Sequence, residues 1–224
     1  ADYDIHRMGG WGFWLASATG ALAMLGLGCI IAQILLVNRF AERLRMPLRP
    51  VRPRPATIFK PLYGDEPHLA ANLASFRDQH WGAAVQIIAG IQAPDDRAGA
   101  AAISLGEDVE LVIDTRRHGA NAKICNLINM NGAARHDIVV LSDSDIAAPP
   151  DYLARVIATL DEPGVGAVTC AYTGRGDNGF WSTLGAAMLS YHFLPSVLLS
   201  LALRTGDVCM GSTIAMRRET LERI

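Results

Sequence analysis

The fold is decided by the stretch Ile138-Val-Val-Leu-Ser-Asp-Ser-Asp145, in which an apolar run leads directly into two aspartates. A run this apolar predicts a strand that is buried inside a parallel sheet. Because residues i and i+2 of an extended chain point the same way, the carboxylates of Asp143 and Asp145 should converge at the carboxyl end of this strand. Open α/β sheets bind their ligands at that end, so we expect a site there.

Two carboxylates at one strand end require a compensating cation. A hard divalent ion, Mg²⁺ or Mn²⁺, suits oxygen ligands and would bridge the phosphates of a nucleotide. A plainer interpretation stays open, since D-x-D is short and the same residues would suit a polar turn that caps the next helix. We predict that Asp143 and Asp145 bind a metal ion.

Short apolar runs alternate with helical patterns beyond residue 55. The predicted strands are Ala56–Phe59, Val85–Ile91, Val109–Ile113, Ile138–Leu141 and Val165–Cys170. The predicted helices are Glu66–Gln79, Arg97–Leu105, Asn121–Ala134 and Asp151–Leu160. Strands that are almost continuously apolar, each followed by a helix, indicate an α/β domain with a mostly parallel sheet covered on both faces.

The chain before this domain predicts one membrane helix. Residues 12–37 contain no charged residue and a single amide, Gln33, and this length suffices for a tilted transmembrane helix. Basic residues follow the run, so the positive-inside rule places everything after residue 38 in the cytoplasm. The predicted organisation is a tail (1–11), a transmembrane helix (12–37), a basic proline-rich linker (38–55) and the α/β domain (56–224).

A second apolar block covers residues 180–203. Its length would permit a membrane span, but Tyr191, His192 and Pro195 interrupt it at the middle. A crossing would also place the residues after it on the far side of the membrane from the rest of the domain. We therefore predict a helix that lies in the membrane interface or beside the active site.

Two further polar stretches are candidates for ligand binding. Asp95 and Asp96 follow the second predicted strand, where they would accept hydrogen bonds from a base or ribose, or equally cap the helix near Arg97. Asn121 and Lys123 open the third predicted helix. The free N–H groups of a helix start attract an anion, and Lys123 would add a positive charge beside a phosphate.

Composition restricts the remaining possibilities. A net charge of −2 gives no general attraction to nucleic acid. The four cysteines have no metal-finger or C-x-x-C spacing, and we expect buried free thiols in a reducing compartment. The chain begins with Ala1 and stops at a helix barely begun, so we expect a fragment that lacks its C-terminal part.

Several motifs in this order resemble glycosyltransferase family 21, the ceramide glucosyltransferase-like group, and in spelling its bacterial hopanoid-biosynthesis branch. They are Lys60-Pro61-Leu62-x-Gly64, Asn72-Leu73-x-Ser75-Phe76, Gln92-x-x-Asp95-Asp96, Asn121-x-Lys123-x-x-Asn126-Leu127, Ser142-Asp143-Ser-Asp145-Ile146, and Gly211 with Met216-Arg217. The resemblance implies a GT-A fold and an inverting enzyme of a bacterial inner membrane. It would pass glucose or N-acetylglucosamine from a UDP-sugar to a lipid hydroxyl.

The resemblance also implies roles for individual residues. Asp145 would hold Mg²⁺ or Mn²⁺ and Asp143 would support it. The nucleotide-sugar would contact Lys60, Pro61, Gln92, Asp95, Asp96, Asn121, Lys123 and Asp143. The lipid acceptor would approach Cys209, Gly211, Ser212 and His192.

The sequence departs from the family pattern in two places. The family's Q-D pair reads Gln92-Ala93 here, so Asp95 or Asp96 must take the aspartate's role. The downstream general base and the Q-x-x-R-W motif do not occur before Ile224, so we expect this polypeptide to bind a donor without turnover.

Other readings of the motifs remain. One is a processive polysaccharide synthase of the same superfamily, and another is an inert, membrane-tethered nucleotide-binding protein. A haloacid-dehalogenase-type phosphatase would place its aspartate on the first strand, whereas three predicted strands precede Asp143. A dehydrogenase would show G-x-G-x-x-G after the first strand, where Lys60-Pro61-Leu62-Tyr63-Gly64 stands instead.

Overall fold

The computed structural model describes residues 5–48, 50–206 and 208–223, with side chains from residue 11 onward. Part of the predicted tail, and Arg49 of the predicted linker, lie outside the described residues. The chain forms two compact units. We call Pro47–Ala171 with Cys209–Ile224 the sheet unit, and Ala1–Met46 with Tyr172–Val208 the helical unit.

The sheet unit contains one six-stranded sheet in the order β3-β2-β1-β4-β6-β5. The strands are β1 (Ala56–Pro61), β2 (Val85–Ile91), β3 (Glu110–Ile113), β4 (Ile138–Ser142), β5 (Ala167–Thr169) and β6 (Thr213–Arg217). β1 pairs in parallel with β2 and β4, and β2 in parallel with β3, whereas β6 runs antiparallel to both β4 and β5. The predicted α/β class with a mostly parallel sheet is confirmed.

Helices cover the sheet on both faces. They are α2 (Leu69–Arg77), α3 (Ala98–Ile103), α4 (Ala122–Asn131), α5 (Tyr152–Leu160) and the short α8 (Arg218–Leu221). Alternate residues of a strand face opposite sides, so Ile58 joins one buried cluster with α2, α3 and α5, and Phe59 joins a second cluster that includes Met130 of α4. This two-sided burial explains why the strands read as continuous apolar runs.

The helical unit consists of α1 (Ile5–Arg45) and a second helical run. That run comprises α6 (Gly179–Met188), a π-helical turn (Leu189–Phe193) and α7 (Leu194–Leu203). Among the described residues, two helical stretches are long and apolar enough to cross a membrane by length and composition alone. They are Trp11–Arg45 and Gly179–Leu203, with mean hydropathies of 2.3 and 1.6.

Both helical stretches differ in detail from the predicted boundaries. α1 extends past residue 37 to Arg45, so the first residues of the predicted linker are helical. No helix-breaking residue occurs in that part before Pro47, which explains the continuation. The second run is not interrupted at Tyr191, His192 and Pro195. It passes this point as a widened π turn, which accommodates a proline that cannot donate a backbone hydrogen bond.

The cysteines are free thiols, but their burial differs from the prediction. Cys125 is buried in α4, whereas Cys29 and Cys170 are half-buried. Cys209 is exposed, so the prediction of a buried thiol is wrong there. The residue precedes β6 in a stretch without regular structure, where no sheet or helix covers it.

Gly90 in β2 is the point where α4 approaches the sheet most closely. A Cβ atom there would lie 2.3 Å from Asn126 Oδ1 and 2.4 Å from Met130 Sδ.

We predict that Gly90→Ala lowers the free energy of unfolding by about 1–3 kcal/mol, because α4 must move or repack. Chemical denaturation measures the change. Gly132→Ala is the matched control, since its Cβ meets nothing within 4 Å and its φ of −62° is helical. Equal stabilities for the two variants would contradict the close packing.

Candidate active site

The two aspartates of the deciding stretch follow β4 at the carboxyl edge of the sheet. Asp143 is half-buried and its backbone N–H donates to the carbonyl oxygen of Ser212 at 3.0 Å, which fixes it beside the start of β6. Asp145 is exposed, and its carboxylate makes no hydrogen bond within the described part of the chain. Both carboxylates act electrostatically on one ammonium group, that of Lys60. Both therefore lie near one ammonium group, but the extended geometry behind the i, i+2 argument is wrong here, because the strand ends at Ser142 and residues 144–145 form a turn.

Lys60 lies at the end of β1 and supports this turn from inside the protein. Its side chain is 0% exposed. The Nζ atom donates to the carbonyl oxygen of Asp143 at 2.5 Å, to Ser142 Oγ at 3.3 Å and to the carbonyl oxygen of Ile146 at 3.5 Å. It also lies 3.8 Å from the ring centroid of Phe76, a cation–π contact. The ammonium thus contacts the D-x-D turn at the backbone of Asp143 and at Ile146, directly after the motif.

This environment changes the acidity of Lys60. Burial lowers its pKa from 10.5 to about 7, while the nearby carboxylates of Asp143, Asp145 and Glu66 oppose the shift. The resemblance implies that Lys60 contacts the nucleotide-sugar. Its complete burial and its contacts with the turn favour a different role, that of a support beneath the aspartates.

Lys123 of α4 approaches the same turn from the surface. Its ammonium forms an ion pair with the Asp143 carboxylate and donates to the carbonyl oxygen of Gly211 at 3.1 Å. The side chain remains 41% exposed, so one side of the ammonium is open to a ligand. Lys123 therefore connects three separate parts of the chain: α4, the D-x-D turn and the loop before β6.

Asn121 is the N-cap of α4, and its side-chain oxygen accepts a hydrogen bond from the N–H of Ile124 at 3.2 Å. This contact satisfies one of the free N–H groups at the helix start. The predicted binding role of Asn121 stays a prediction beside this structural one.

The predicted binding residues after β2, Gln92, Asp95 and Asp96, have different surroundings. Asp96 Oδ1 accepts backbone N–H bonds from Gly64 and from Ala98, each at 2.9 Å, and so caps α3 and fixes the loop after β1. Asp95 is exposed. The Nε2 atom of Gln92 is buried and has no hydrogen-bond partner among the described residues. Asp95 and Gln92 thus remain available to a ligand, while Asp96 is engaged in structure.

The predicted acceptor-side residues occur in two units. Gly211 and Ser212 immediately precede β6, next to the end of β4, and the buried Ser212 Oγ has no partner within the described part of the chain. Cys209 lies just before them and is exposed. His192 belongs to the helical unit, in the π turn, and is exposed. Their contact with an acceptor stays a prediction.

Sequence reasoning assigned no role to the residues that position the loop after the aspartates. Asn72 Nδ2 donates to the carbonyl oxygen of Ser144 at 3.2 Å, and Ser75 Oγ accepts from the N–H of Ala148 at 2.9 Å. Both lie on α2, and Asn72 is buried. The motif Asn72-Leu73-x-Ser75-Phe76 was a signal for these residues, but its purpose depends on contacts that only the fold creates.

The donor set of this edge suits a hard divalent ion. No group of three or more His, Cys, Asp or Glu side chains within residues 5–48, 50–206 and 208–223 is placed to hold a metal. Mg²⁺ is commonly held in proteins by one or two carboxylates, with substrate phosphates and water as the other ligands. An exposed Asp145 beside a fixed Asp143 fits this chemistry, provided that a phosphate ligand is present.

Two solved structures are similar to this chain in architecture. A mannosyltransferase from Pyrobaculum calidifontis, in complex with GDP-Man and Mn²⁺, is 24% identical with a TM-score of 0.57 over 90% of this chain and 56% of that chain. Glucosyl-3-phosphoglycerate synthase from Mycobacterium tuberculosis, in complex with UDP, is 20% identical with a TM-score of 0.49 over 77% of this chain and 65% of that one. The first similarity shows that the fold is of the GT-A type. The chain spans little more than half the length of that mannosyltransferase.

The family follows from a second comparison. Glycosyl transferase family 21 matches residues 19–224, which is nearly the whole chain. The chain therefore belongs to glycosyl transferase family 21, as the motifs predicted.

The buried Lys60 gives a prediction about pH. Because folding lowers its pKa from 10.5 to about 7, the unfolded chain holds more protons than the folded chain between these values, and stability rises with pH in this window. Lys60→Met removes the titrating group. We expect the difference in unfolding free energy between wild type and Lys60→Met to grow by roughly 2 kcal/mol from about pH 7 to about pH 9, since one pKa unit is about 1.36 kcal/mol.

Chemical denaturation at both pH values measures this difference. Gln86→Met is the control, because Gln86 is equally a buried polar residue, 5% exposed, but belongs to β2 and hydrogen-bonds Thr57, far from the aspartates along the strands. Its pH profile should run parallel to that of the wild type. A parallel profile for Lys60→Met as well would refute the assigned environment of Lys60.

Proposed function

We propose that the protein is a membrane-anchored, inverting glycosyltransferase that moves glucose or N-acetylglucosamine from a UDP-sugar to a lipid hydroxyl, ceramide-like or hopanoid. The observation that supports this most directly is the D-x-D turn at the carboxyl edge of the sheet. Asp143 is held at its carboxylate by Lys123 and at its backbone carbonyl oxygen by Lys60, and Asp145 is exposed. Membership of family 21 and the GT-A fold agree with the proposal.

In this proposal Asp145 holds Mg²⁺ or Mn²⁺ and Asp143 supports it. When bound, the ion supplies positive charge that stabilises the leaving diphosphate. The similar mannosyltransferase is in complex with GDP-Man and Mn²⁺, which favours a nucleotide-sugar and a divalent metal here too. The family resemblance favours UDP as the nucleotide.

The chain's own residues would bind and orient the donor. The Lys123 ammonium, which pairs with Asp143 of the turn on a side chain that is 41% exposed, would also contact a phosphate, together with N–H groups at the start of α4. Gln92 Nε2, a buried donor without a partner among the described residues, and the exposed Asp95 would approach the uridine. The loop of Gly211 and Ser212 lies beside the end of β4, where an acceptor hydroxyl would need to arrive.

The membrane part of the proposal depends on α1. Its Trp11–Arg45 stretch has a mean hydropathy of 2.3, and none of its most apolar window is buried inside the protein. We propose that this helix anchors the protein in a bacterial inner membrane. Basic residues at its C-terminal end, Arg43 and Arg45, favour a cytoplasmic location for the sheet unit by the positive-inside rule.

The metal assignment predicts the effect of changing Asp145. We expect Asp145→Asn to weaken Mn²⁺-dependent binding of UDP about tenfold or more, because it removes a carboxylate ligand. Titration calorimetry of the detergent-solubilised chain with UDP, with and without Mn²⁺, measures the loss. Asp137→Asn is the matched control, since it makes the same change at an exposed position just before the amino end of β4. Metal-dependent UDP binding that survives in Asp145→Asn would overturn the proposed function.

We predict that a change of Lys123 affects metal binding and nucleotide binding in opposite directions. Its ammonium neutralises the Asp143 carboxylate, so Lys123→Met should strengthen binding of Mn²⁺ alone. The same change should weaken binding of UDP, because a phosphate loses a cationic partner. Separate calorimetric titrations with Mn²⁺ and with UDP distinguish the two effects. A variant in which neither affinity moves would exclude Lys123 from the donor site.

A further inference from the structure

The second apolar helix raises a question that its composition does not answer. Gly179–Leu203 comprises 25 residues with a mean hydropathy of 1.6, and only 17% of its most apolar window is buried. By length it would cross a bilayer, and by its exposed surface it is unlike the core helix of a soluble protein. The surrounding strands and the segment before it decide between these possibilities.

The pairing of β5 with β6 excludes a single crossing. β5 ends at Thr169, before the helix, and β6 begins at Thr213, after it. The two strands are antiparallel neighbours in one sheet, with Val168 opposite Ala215. Strands joined by backbone hydrogen bonds lie on the same side of a membrane. The chain must therefore leave the sheet unit and return to it on one side.

Residues 172–178 show how the chain leaves, because this segment runs back along the helix that follows it. The ring of Tyr172 lies 5.6 Å from that of Phe193, and the N–H of Gly174 donates to Ser190 Oγ at 3.1 Å. An added Cβ on Gly174 would lie 2.3 Å from the Cα of Ala186. An extended segment of this length reaches about 23 Å, and residues 179–193 span about 21 Å as a helix, so the two form an out-and-back hairpin.

The segment that covers the helix is polar. Arg175 and Asp177 form an ion pair on it at 3.4 Å, and both side chains are substantially exposed. A helix that crossed the bilayer would take this pair into or through the hydrocarbon region, which is costly for charged groups. The polar segment belongs in water or among lipid headgroups.

The opposite face of the helix is large, apolar and exposed. Its residues recur at helical spacing with exposures of 46–83%: Phe180, Trp181, Leu184, Met188 and Tyr191. Tryptophan and tyrosine are enriched at membrane interfaces, where a ring with a polar edge is favoured. Further along, α7 packs against α1, the proposed anchor, so this run of helix is continuous with the surface that already faces lipid.

From these contacts we infer that Gly179–Leu203 is not a transmembrane span. It lies in the bilayer interface on the side of the sheet unit and inserts the Phe180–Tyr191 face into one leaflet. The partner of this surface is lipid. The inference rests on the proposed anchoring by α1, and it goes further by restricting the protein to one leaflet, from which a lipid acceptor would have to be taken.

Labelling of cysteines with a membrane-impermeant maleimide tests the inference on the full chain in sealed vesicles of phosphatidylcholine and phosphatidylglycerol. Arg175→Cys reports the side before the helix, and the exposed native Cys209 reports the side after it. Met188→Cys reports the apolar face, and Leu22→Cys reports the middle of α1. Peptide mass spectrometry separates these sites from Cys170, whose pKa burial raises to about 11 and which reacts slowly.

The expected result is that Arg175→Cys and Cys209 label to the same fraction, since both lie on one side. Met188→Cys should label about tenfold more slowly than Arg175→Cys in vesicles, because hydrocarbon excludes a charged reagent, and should recover once the chain is unfolded in urea. If the labelled fractions at positions 175 and 209 add up to one, the two positions lie on opposite sides and the helix crosses the bilayer. If position 188 labels fast, the helix lies in water. Either result overturns the inference.

The controls distinguish this failure from failure of the proposed function. Fast labelling of Leu22→Cys would show that α1 itself is not in the membrane, and would overturn the anchor together with the inference that depends on it. If Leu22→Cys is protected from the reagent while the other sites show that Gly179–Leu203 crosses the bilayer or lies in water, only the inference about that helix is overturned. Donor binding is measured separately through Asp145, and no labelling result changes it.

Discussion

The site depends on a lysine that is enclosed by the protein. The Lys60 ammonium hydrogen-bonds the backbone before and after Asp145, and it lies against the ring of Phe76. Two carboxylates at one strand end repel each other, and Lys60 offsets this repulsion when it is protonated. Enclosing a lysine is costly, which its lowered pKa expresses. This buried lysine lies at the end of β1, which is the neighbour of β4 in the sheet.

The remaining contacts fix the same turn from other directions. Lys123 approaches from α4, Asn72 from α2, and the backbone of Ser212 from the loop before β6. These residues are far apart in sequence and meet because parallel strands bring their carboxyl ends to one edge. The antiparallel β6 contributes its amino-terminal loop to that edge, since its direction is reversed relative to β4. A reversed strand thus allows a late part of the chain to border the site.

The same reversed strand also limits the membrane topology. β5 and β6 flank the second apolar helix in sequence and pair with each other in space, so hydrogen bonds within the sheet unit restrict what the helical unit can do in a bilayer. Hydropathy describes both apolar helices in similar terms. The proposed distinction between them comes from backbone pairing and from the packing of segment 172–178 along the helix, neither of which a hydropathy profile represents.

Much of this protein was determined by its sequence alone. Continuous apolar runs predicted the buried strands, the position of the D-x-D motif directly after one of them predicted two aspartates at a strand end, and the ordered motifs identified the family. Local patterns suffice for these features because strand burial and side-chain direction follow the periodicity of the chain.

Only the tertiary structure decided the rest. It showed that Lys60 is buried beneath the turn, that Asp96 fixes the loop after β1, that Cys209 is exposed and that β6 is antiparallel. Each of these depends on which distant segments become neighbours. The burial and the partners of a polar side chain are properties of that arrangement, and its own sequence neighbourhood does not encode them.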